Sequence, residues 1–297
     1  MKKLLLLISG FISINTFAQI SDSIKITPKI KWTHNVQTGI NITQSSFSEN
    51  WKGGGISSFA YGGFINVLSK YQGKKWSVNS DLQLQLGFLN NGLQTIKNSD
   101  RIFYDLKAGR KIAKSWDLFL STNFQSQFDD GFTYVKSKGS SSNDSGIYVS
   151  NFMAPAYLTS SLGLEYKPVT YFWARLGIGT LRQTFVLDEE LSNRKLYGLE
   201  KAGDKIRNQA VVQAIFSFDK DVMKNINLKL RSATNWDYIK FDKVGSIVER
   251  FDLNLTMKVN KYINTNIQAV VLYDYDQDKD WQRSQILSLG ILYNWTR

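Results

Sequence analysis

The sequence predicts an all-β chain, a single up-and-down antiparallel transmembrane β-barrel of about twelve strands preceded by a signal peptide. Three observations predict it. Apolar and polar residues alternate with period two from Trp32 onward, as in strands that face two different environments. The connections between these segments are alternately short and long, the habit of barrels with short periplasmic turns and longer outer loops. The N-terminus has the layout of an export signal.

In that signal Lys2 and Lys3 form the positive region, and 4–14 form an apolar core broken only by Ser9, Gly10 and Ser13. Thr16-Phe17-Ala18 offers a small-x-small cleavage site. The chain is thereby divided into a signal peptide (1–18), a short periplasmic segment (19–30) and a barrel (31–297). The apolar core is shorter than the ~20 residues a spanning helix needs. Mean hydropathy is -0.26, a value typical of soluble proteins, but alternating strands average out in such a measure. The absence of cysteine removes disulfides and thiolate chemistry. The formal charge is +12, two units of it in the signal peptide. No block of like charges forms a nucleic-acid arm, so the basic balance points to anionic lipid headgroups or surface polysaccharide, or carries no specific meaning.

Twelve segments read as strands: 32–44, 56–70, 75–89, 100–113, 116–128, 156–167, 171–185, 206–219, 225–239, 246–260, 263–275 and 284–296. The last is the clearest. Leu287, Leu289, Ile291, Tyr293 and Trp295 share one face, and Ser288, Gly290 and Asn294 the other. That strand also resembles the C-terminal signal read by barrel-assembly machinery, although the chain ends in Thr296 and Arg297. Tight turns are expected at 72–74, 113–115, 168–170, 220–224 and 261–262, and longer loops at 45–55, 90–99, 129–155, 186–205, 240–245 and 276–283. An even strand number puts both ends in the periplasm. Tyr71, Trp76, Trp116, Tyr166, Tyr171, Phe172 and Tyr262 flank the tight turns, where amphipathic rings sit at headgroup depth. Phe88, Phe128, Phe185, Trp236 and Tyr273 supply a second belt at the outer end. Pro28 and Pro155 precede strands and Pro168 falls in a turn, so none removes a ladder donor from a strand interior.

The polar faces point inward. Alternation places Asp81, Asp105, Lys107, Glu165, Arg175, Arg207, Lys229, Arg231, Arg250 and Asp252 in the lumen, with Arg101, Asp117, Asp219 and Lys258 beside them. Glu165 and Arg175 are expected to pair across adjacent strands, and Asp81 to meet Lys107. Two readings of this lining stand: a narrow aqueous pore whose charges select solutes, or a packed polar plug, since a barrel of this size lies between filled and open ones.

Catalytic chemistry finds little support. The one histidine, His34, starts the first strand beside Trp32, at the wrong end for a barrel hydrolase, and no Gly-x-Ser-x-Gly elbow exists. One histidine without cysteine makes a transition-metal site improbable, and no cofactor is called for. The carboxylate groups Asp129-Asp130, Asp188-Glu189-Glu190 and Asp274, Asp276, Asp278, Asp280 read as solvated loop charge. The last is the best calcium candidate, with Lys279 and Arg283 among its members. The 139–146 run reads as a mobile surface loop.

Phe47-Ser48-Glu49-Asn50-Trp51-Lys52-Gly53-Gly54-Gly55, Asn151-Phe152-Met153-Ala154-Pro155-Ala156-Tyr157-Leu158, Met223-Lys224-Asn225-Ile226-Asn227-Leu228 and Met257-Lys258-Val259-Asn260-Lys261-Tyr262-Ile263 are distinctive. Together they resemble a family of Bacteroidota proteins known only as a domain of unknown function and regarded as outer-membrane barrels. The resemblance implies location and fold, and supplies no activity, substrate or catalytic residue.

The sequence therefore points to a non-enzymatic channel or envelope scaffold in the cell outer membrane. A surface-binding protein using Trp51, Gly53, Gly54 and Gly55 is the alternative, and an outer-membrane hydrolase a weaker one. Outer-membrane lipid, barrel-assembly machinery during biogenesis, and a small polar solute or envelope protein are the expected partners, without nucleic acid.

Overall fold

The computed structural model describes residues 31–46, 48, 57–92, 94–133, 146–240, 245–260 and 263–296. The signal peptide, the 19–30 segment, Trp51, Gly53, Gly54, Gly55 and Tyr262 lie outside the described residues. Among the described residues fourteen strands occur in chain order: β1 (Lys31–Ser45), β2 (Ser58–Gln72), β3 (Trp76–Asn90), β4 (Thr95–Ala113), β5 (Trp116–Ser126), β6 (Gly131–Thr133), β7 (Ile147–Ser150), β8 (Ala156–Val169), β9 (Phe172–Phe185), β10 (Ile206–Met223), β11 (Ile226–Asp237), β12 (Ile247–Lys258), β13 (Ile263–Asp274) and β14 (Gln282–Thr296). Twelve of them close into an antiparallel barrel in the order β1-β14-β13-β12-β11-β10-β9-β8-β5-β4-β3-β2. Apart from β1 with β14, every pair joins barrel strands consecutive in the chain, so the topology is up-and-down. Closure is made by β1 and β14, from Asn35 opposite Thr296 to Ile42 opposite Leu289.

The polarity of the molecule is inverted relative to a water-soluble domain. Outside, Leu118, Leu120, Leu162, Leu164, Leu176, Ile178, Leu287, Leu289 and Ile291 are exposed. Inside, the buried set is dominated by serine, threonine, asparagine, glutamine and charged side chains. An apolar band around a closed sheet is the surface that lipid covers, and closure leaves no strand edge unsatisfied there. Hydroxyls that do face outward find partners, as Thr122 with Ser160 at 3.0 Å and Ser80 donating to Tyr104 at 3.4 Å. His34 stacks on Trp32 with centroids 5.7 Å apart and bonds Ser69 at 2.9 Å.

The tight-turn end carries exposed Trp32, Trp76, Trp116, Tyr166 and Tyr171. Trp116 packs on Tyr166 at 4.8 Å, and Lys220 lies over Tyr171 at 4.6 Å, the aromatic–cation dressing of a headgroup layer. Pro168 lies within the last residues of β8 rather than in the turn. It coincides with a register irregularity between Tyr166 and Val169, so it displaces no regular ladder bond.

The outer loops are more structured than expected. The 186–205 loop contains a short helix, α1 (Glu189–Asn193), and a 3-10 turn, α2 (Leu196–Gly198). The 129–155 loop contributes the β6–β7 hairpin, with 134–145 outside the described residues. Ala154, Val186, Leu191 and Leu199 form a small apolar core between the two loops, with Tyr148, Leu196 and Tyr197 packed against it. Asp188 caps α1 by accepting from the Leu191 N–H at 2.9 Å, and it accepts from the Tyr148 hydroxyl at 2.9 Å. Arg194 donates to the Tyr148 carbonyl at 2.5 Å. These contacts make one folded cap on the outer mouth.

Candidate functional site

The inward faces carry the chemistry of this barrel, and their geometry divides along its length. Nearest the tight turns, on the β4–β5–β8–β9 wall, Glu165 accepts from Lys107 and from the Arg175 Nε at 2.6 Å. Arg175 also reaches Asp105 at 3.4 Å, and its guanidinium covers Trp173 at 4.0 Å. The side chains of Lys107, Glu165 and Arg175 are only 3, 3 and 4% exposed. Ions so thoroughly removed from water are held by pairing and hydrogen bonds, because each alone would carry a desolvation cost of several kcal/mol.

The centre is looser. Arg101 on β4 approaches Asp252 on β12 at 3.8 Å, and these strands stand six apart whichever way the ring is followed. Asp81 on β3 and Lys229 on β11 are likewise six strands apart, and approach to 3.9 Å. Both contacts therefore cross the full bore. Their side chains are 18–40% exposed, unlike the network below. Asp252 is also held by Arg250 at 2.7 Å and has Arg231 directly opposite in register. The guanidiniums of Arg101 and Arg231 lie over the Phe103 ring at 4.8 and 5.1 Å. One acid thus sits among three arginines, with a buried ring between two of them.

At the outer mouth Arg182 pairs with Asp274 at 3.3 Å and lies over Tyr157 at 4.7 Å. Gln277 donates to the Tyr157 hydroxyl at 2.9 Å and to Asp274 at 3.0 Å. Arg207 donates to Asp276. Gly198 of α2 seats its backbone against that pair: a Cβ there would collide with the Arg207 guanidinium, and its φ of +79 is one that glycine accepts without strain. The cap and the β13–β14 loop are thus joined over the mouth through Arg207 and Asp276.

Of the ten lumen candidates named from the sequence, Lys107, Glu165, Arg175 and Arg207 are buried, Asp81, Asp105, Lys229, Arg250 and Asp252 join ion pairs, and Arg231 lies over Phe103. The Glu165–Arg175 pairing stands as expected. The expected Asp81–Lys107 contact does not form: Asp81 meets Lys229 across the bore, and Lys107 is taken by Glu165 two strands away. Adjacent-strand reasoning fails there because long side chains in a narrow barrel reach farther than one strand. The reading of Asp274 and Asp276 as solvated loop charge is also corrected. Asp274 and Asp276 are spent on Arg182 and Arg207, and no group of acids and histidine suited to a metal ion occurs among the described residues. Asp188, read as solvated charge, is a helix cap. Trp51 and its glycines lie outside the described residues, so the structure assigns them no site.

Arg182 was not among the lumen residues read from the sequence, and the reason is a β-bulge. From Arg175 strict alternation would turn Arg182 outward. In β9, Gly177 pairs with Gly163 and Gln213, whereas Thr180 pairs with Ser161 and Val211, so β9 spends an extra residue on both neighbours. Ile178 and Gly179 both face outward, and parity flips beyond them. Gly177 allows this, because a Cβ there would strike the Ser161 hydroxyl. A signal existed: two arginines an odd distance apart on one spanning strand cannot both avoid lipid unless a bulge intervenes.

Residues 42–132, about a third of the chain, match the model of a family described as a protein of unknown function, DUF3078. Among curated proteins, no relative matches the chain. Among solved structures, the chain is similar to an outer-membrane channel from Pseudomonas putida F1, with 9% identity, 94% of this chain and 100% of that one covered, and a TM-score of 0.40. It is similar to the NanC porin, with 10% identity, 88% and 98% covered, and a TM-score of 0.38. A third is the translocator domain of the autotransporter NalP from Neisseria meningitidis, with 10% identity, 91% and 90% covered, and a TM-score of 0.31.

Proposed function

We propose that this protein is a non-enzymatic barrel of the bacterial outer membrane that acts as a narrow channel for small charged or polar solutes. The carrying observation is the contrast between lumen levels. The Lys107–Glu165–Arg175 network is tight and dry. The contacts that close the bore, Arg101–Asp252 and Asp81–Lys229, are 3.8 and 3.9 Å long between partly exposed ends. Long, half-solvated side chains can swing aside for a passing ion, and rings of opposite charge at a constriction are a means of selection. Stability alone does not call for such a lining, because apolar filling serves a closed core as well or better.

The exposed apolar band, the aromatic end belts and the export signal support the outer membrane as the location. The motif resemblance supports a Bacteroidota source. Outer-membrane lipid is then the solvent, and barrel-assembly machinery the partner in biogenesis. Planar-bilayer recording of the purified full chain tests the channel. Discrete conductance steps are expected, and their absence at every voltage overturns the reading. The folded cap, joined to the β13–β14 loop by Arg207 and Asp276, favours a second reading, an envelope scaffold with a permanently shut mouth. That reading expects no steps even when Arg207→Gln removes the ion pair.

A further inference from the structure

A cavity of about 260 Å³ lies at the tight-turn mouth, between the turns that follow β2, β4 and β8. Lys107, Lys111, Lys114 and Lys167 line it, with Asp117 as the acid of the lining. Four positive groups against one negative leave the cup with a formal excess of three. Lys107 is committed to Glu165. Lys111, Lys114 and Lys167 make no ion pair among the described residues, even though Asp117 stands opposite Lys111 in register.

The rim that carries these lysines is fixed. The Lys111 N–H donates to the Lys75 carbonyl at 2.8 Å, and the Lys167 N–H to the Ser115 carbonyl at 2.8 Å. Three neighbouring turns are thereby tied edge to edge, and the lysine backbones cannot drift apart to relieve repulsion. Lys111 shares the inward parity of Lys107, and Lys167 lines the same cavity from the β8 side. Single-sign charge inside a low-dielectric wall focuses its field along the opening. The volume exceeds several times the ~30 Å³ that one water occupies in the liquid.

We propose that this cup binds a small dissolved anion bearing more than one negative charge, with phosphate or carboxylate groups as the recognised chemistry. Its role as a station on a solute path deepens the channel reading and rests on it; the site itself does not. Lipid phosphates are the other source of this chemistry, but they lie outside the wall, whereas the cup opens within it.

Isothermal titration of the full chain in a neutral, phosphate-free detergent with inorganic phosphate, and separately with citrate, tests the site. Saturable binding that weakens with salt is expected. The double variant Lys111→Gln/Lys167→Gln should lose at least tenfold in affinity, Lys114→Gln less, and Lys201→Gln at the outer end nothing. Heat-modifiable migration in gels reports folding, and the Lys114 variant in an exposed turn keeps the test open if the double variant does not fold. No saturable binding, unchanged affinity in the lysine variants, or displacement of phosphate by phosphatidylglycerol overturns the proposal. Bilayer recordings separate the two readings. Binding without conductance removes the channel and leaves the site, and conductance without binding removes the site alone.

Discussion

Arg101 and Asp252 stand on strands six apart around the ring and approach to 3.8 Å, so one ion contact measures the full width of the lumen. Asp252 is the acid among Arg101, Arg231 and Arg250. Asp252→Asn should leave three arginines at the constriction and shift the reversal potential in a salt gradient toward that of chloride. Arg101→Gln should shift it the opposite way. Truncating both to alanine should raise the unit conductance, because the bridge across the bore is gone. Equal potentials for wild type and both variants would place the constriction elsewhere.

Glu165 holds two buried cations at once. Glu165→Gln keeps the shape but leaves Lys107 without its anion and Arg175 with Asp105 alone at 3.4 Å. Removal of one partner from a buried ion cluster costs about 3–5 kcal/mol. The urea midpoint of reversible folding into lipid vesicles should fall accordingly. The triple change Lys107→Met/Glu165→Leu/Arg175→Met should recover most of the loss, since the cluster's worth lies in its completeness.

The bulge at Ile178 predicts an asymmetry between two mild-looking changes. Ile178→Val keeps the extra residue, and the barrel should assemble as before. Deleting Ile178 restores strict alternation and turns either Arg175 or Arg182 toward lipid. An arginine on that face costs about 2–4 kcal/mol near the bilayer midplane and less toward the interfaces, with the Glu165 or Asp274 pair lost besides. Heat-modifiable migration should show the deletion largely unassembled.

Legibility followed the same division. Alternation and turn spacing sufficed for the strand number, the order and the inward faces of β3, β4, β8 and β11, because a half-buried strand imposes its period directly on the residue types. Glu165–Arg175 was readable because the two flank one tight turn. Arg101–Asp252 and Asp81–Lys229 were not, because contacts across a bore depend on circumference and stagger, which no local pattern encodes. Arg182 was hidden by one extra residue. The cap was hidden too: Leu191 and Leu199 have no periodic neighbours to announce them, and Asp188-Glu189-Glu190 resembles ordinary loop charge until its first turn of helix is seen.

Asp188 makes the cap sensitive to acid. The Leu191 N–H and the Tyr148 hydroxyl both bond its carboxylate and hold its pKa below the ordinary value, against a smaller opposing effect of burial. Burial and the bond to Asp188 push the Tyr148 phenol up to about 12, so the phenol remains a donor throughout the useful range. A depressed carboxyl pKa contributes stability that is complete above the unfolded value, ~3.9, and is lost as pH falls through the folded one. Hydrogen exchange across 186–205 should therefore stay slow at neutral pH and accelerate as pH falls below about 4, once the intrinsic pH dependence of exchange is divided out. Asp188→Ala should weaken the cap by about 1 kcal/mol at neutral pH, the usual worth of such a cap. Asp188→Asn is the discriminating variant. Asparagine also caps helices, so protection should persist at neutral pH but no longer fall away in acid. If the asparagine variant kept the full acid response, the carboxylate of Asp188 would not be the group that titrates, and the cap would owe its closure to the apolar contacts of Leu191 and Leu199 alone.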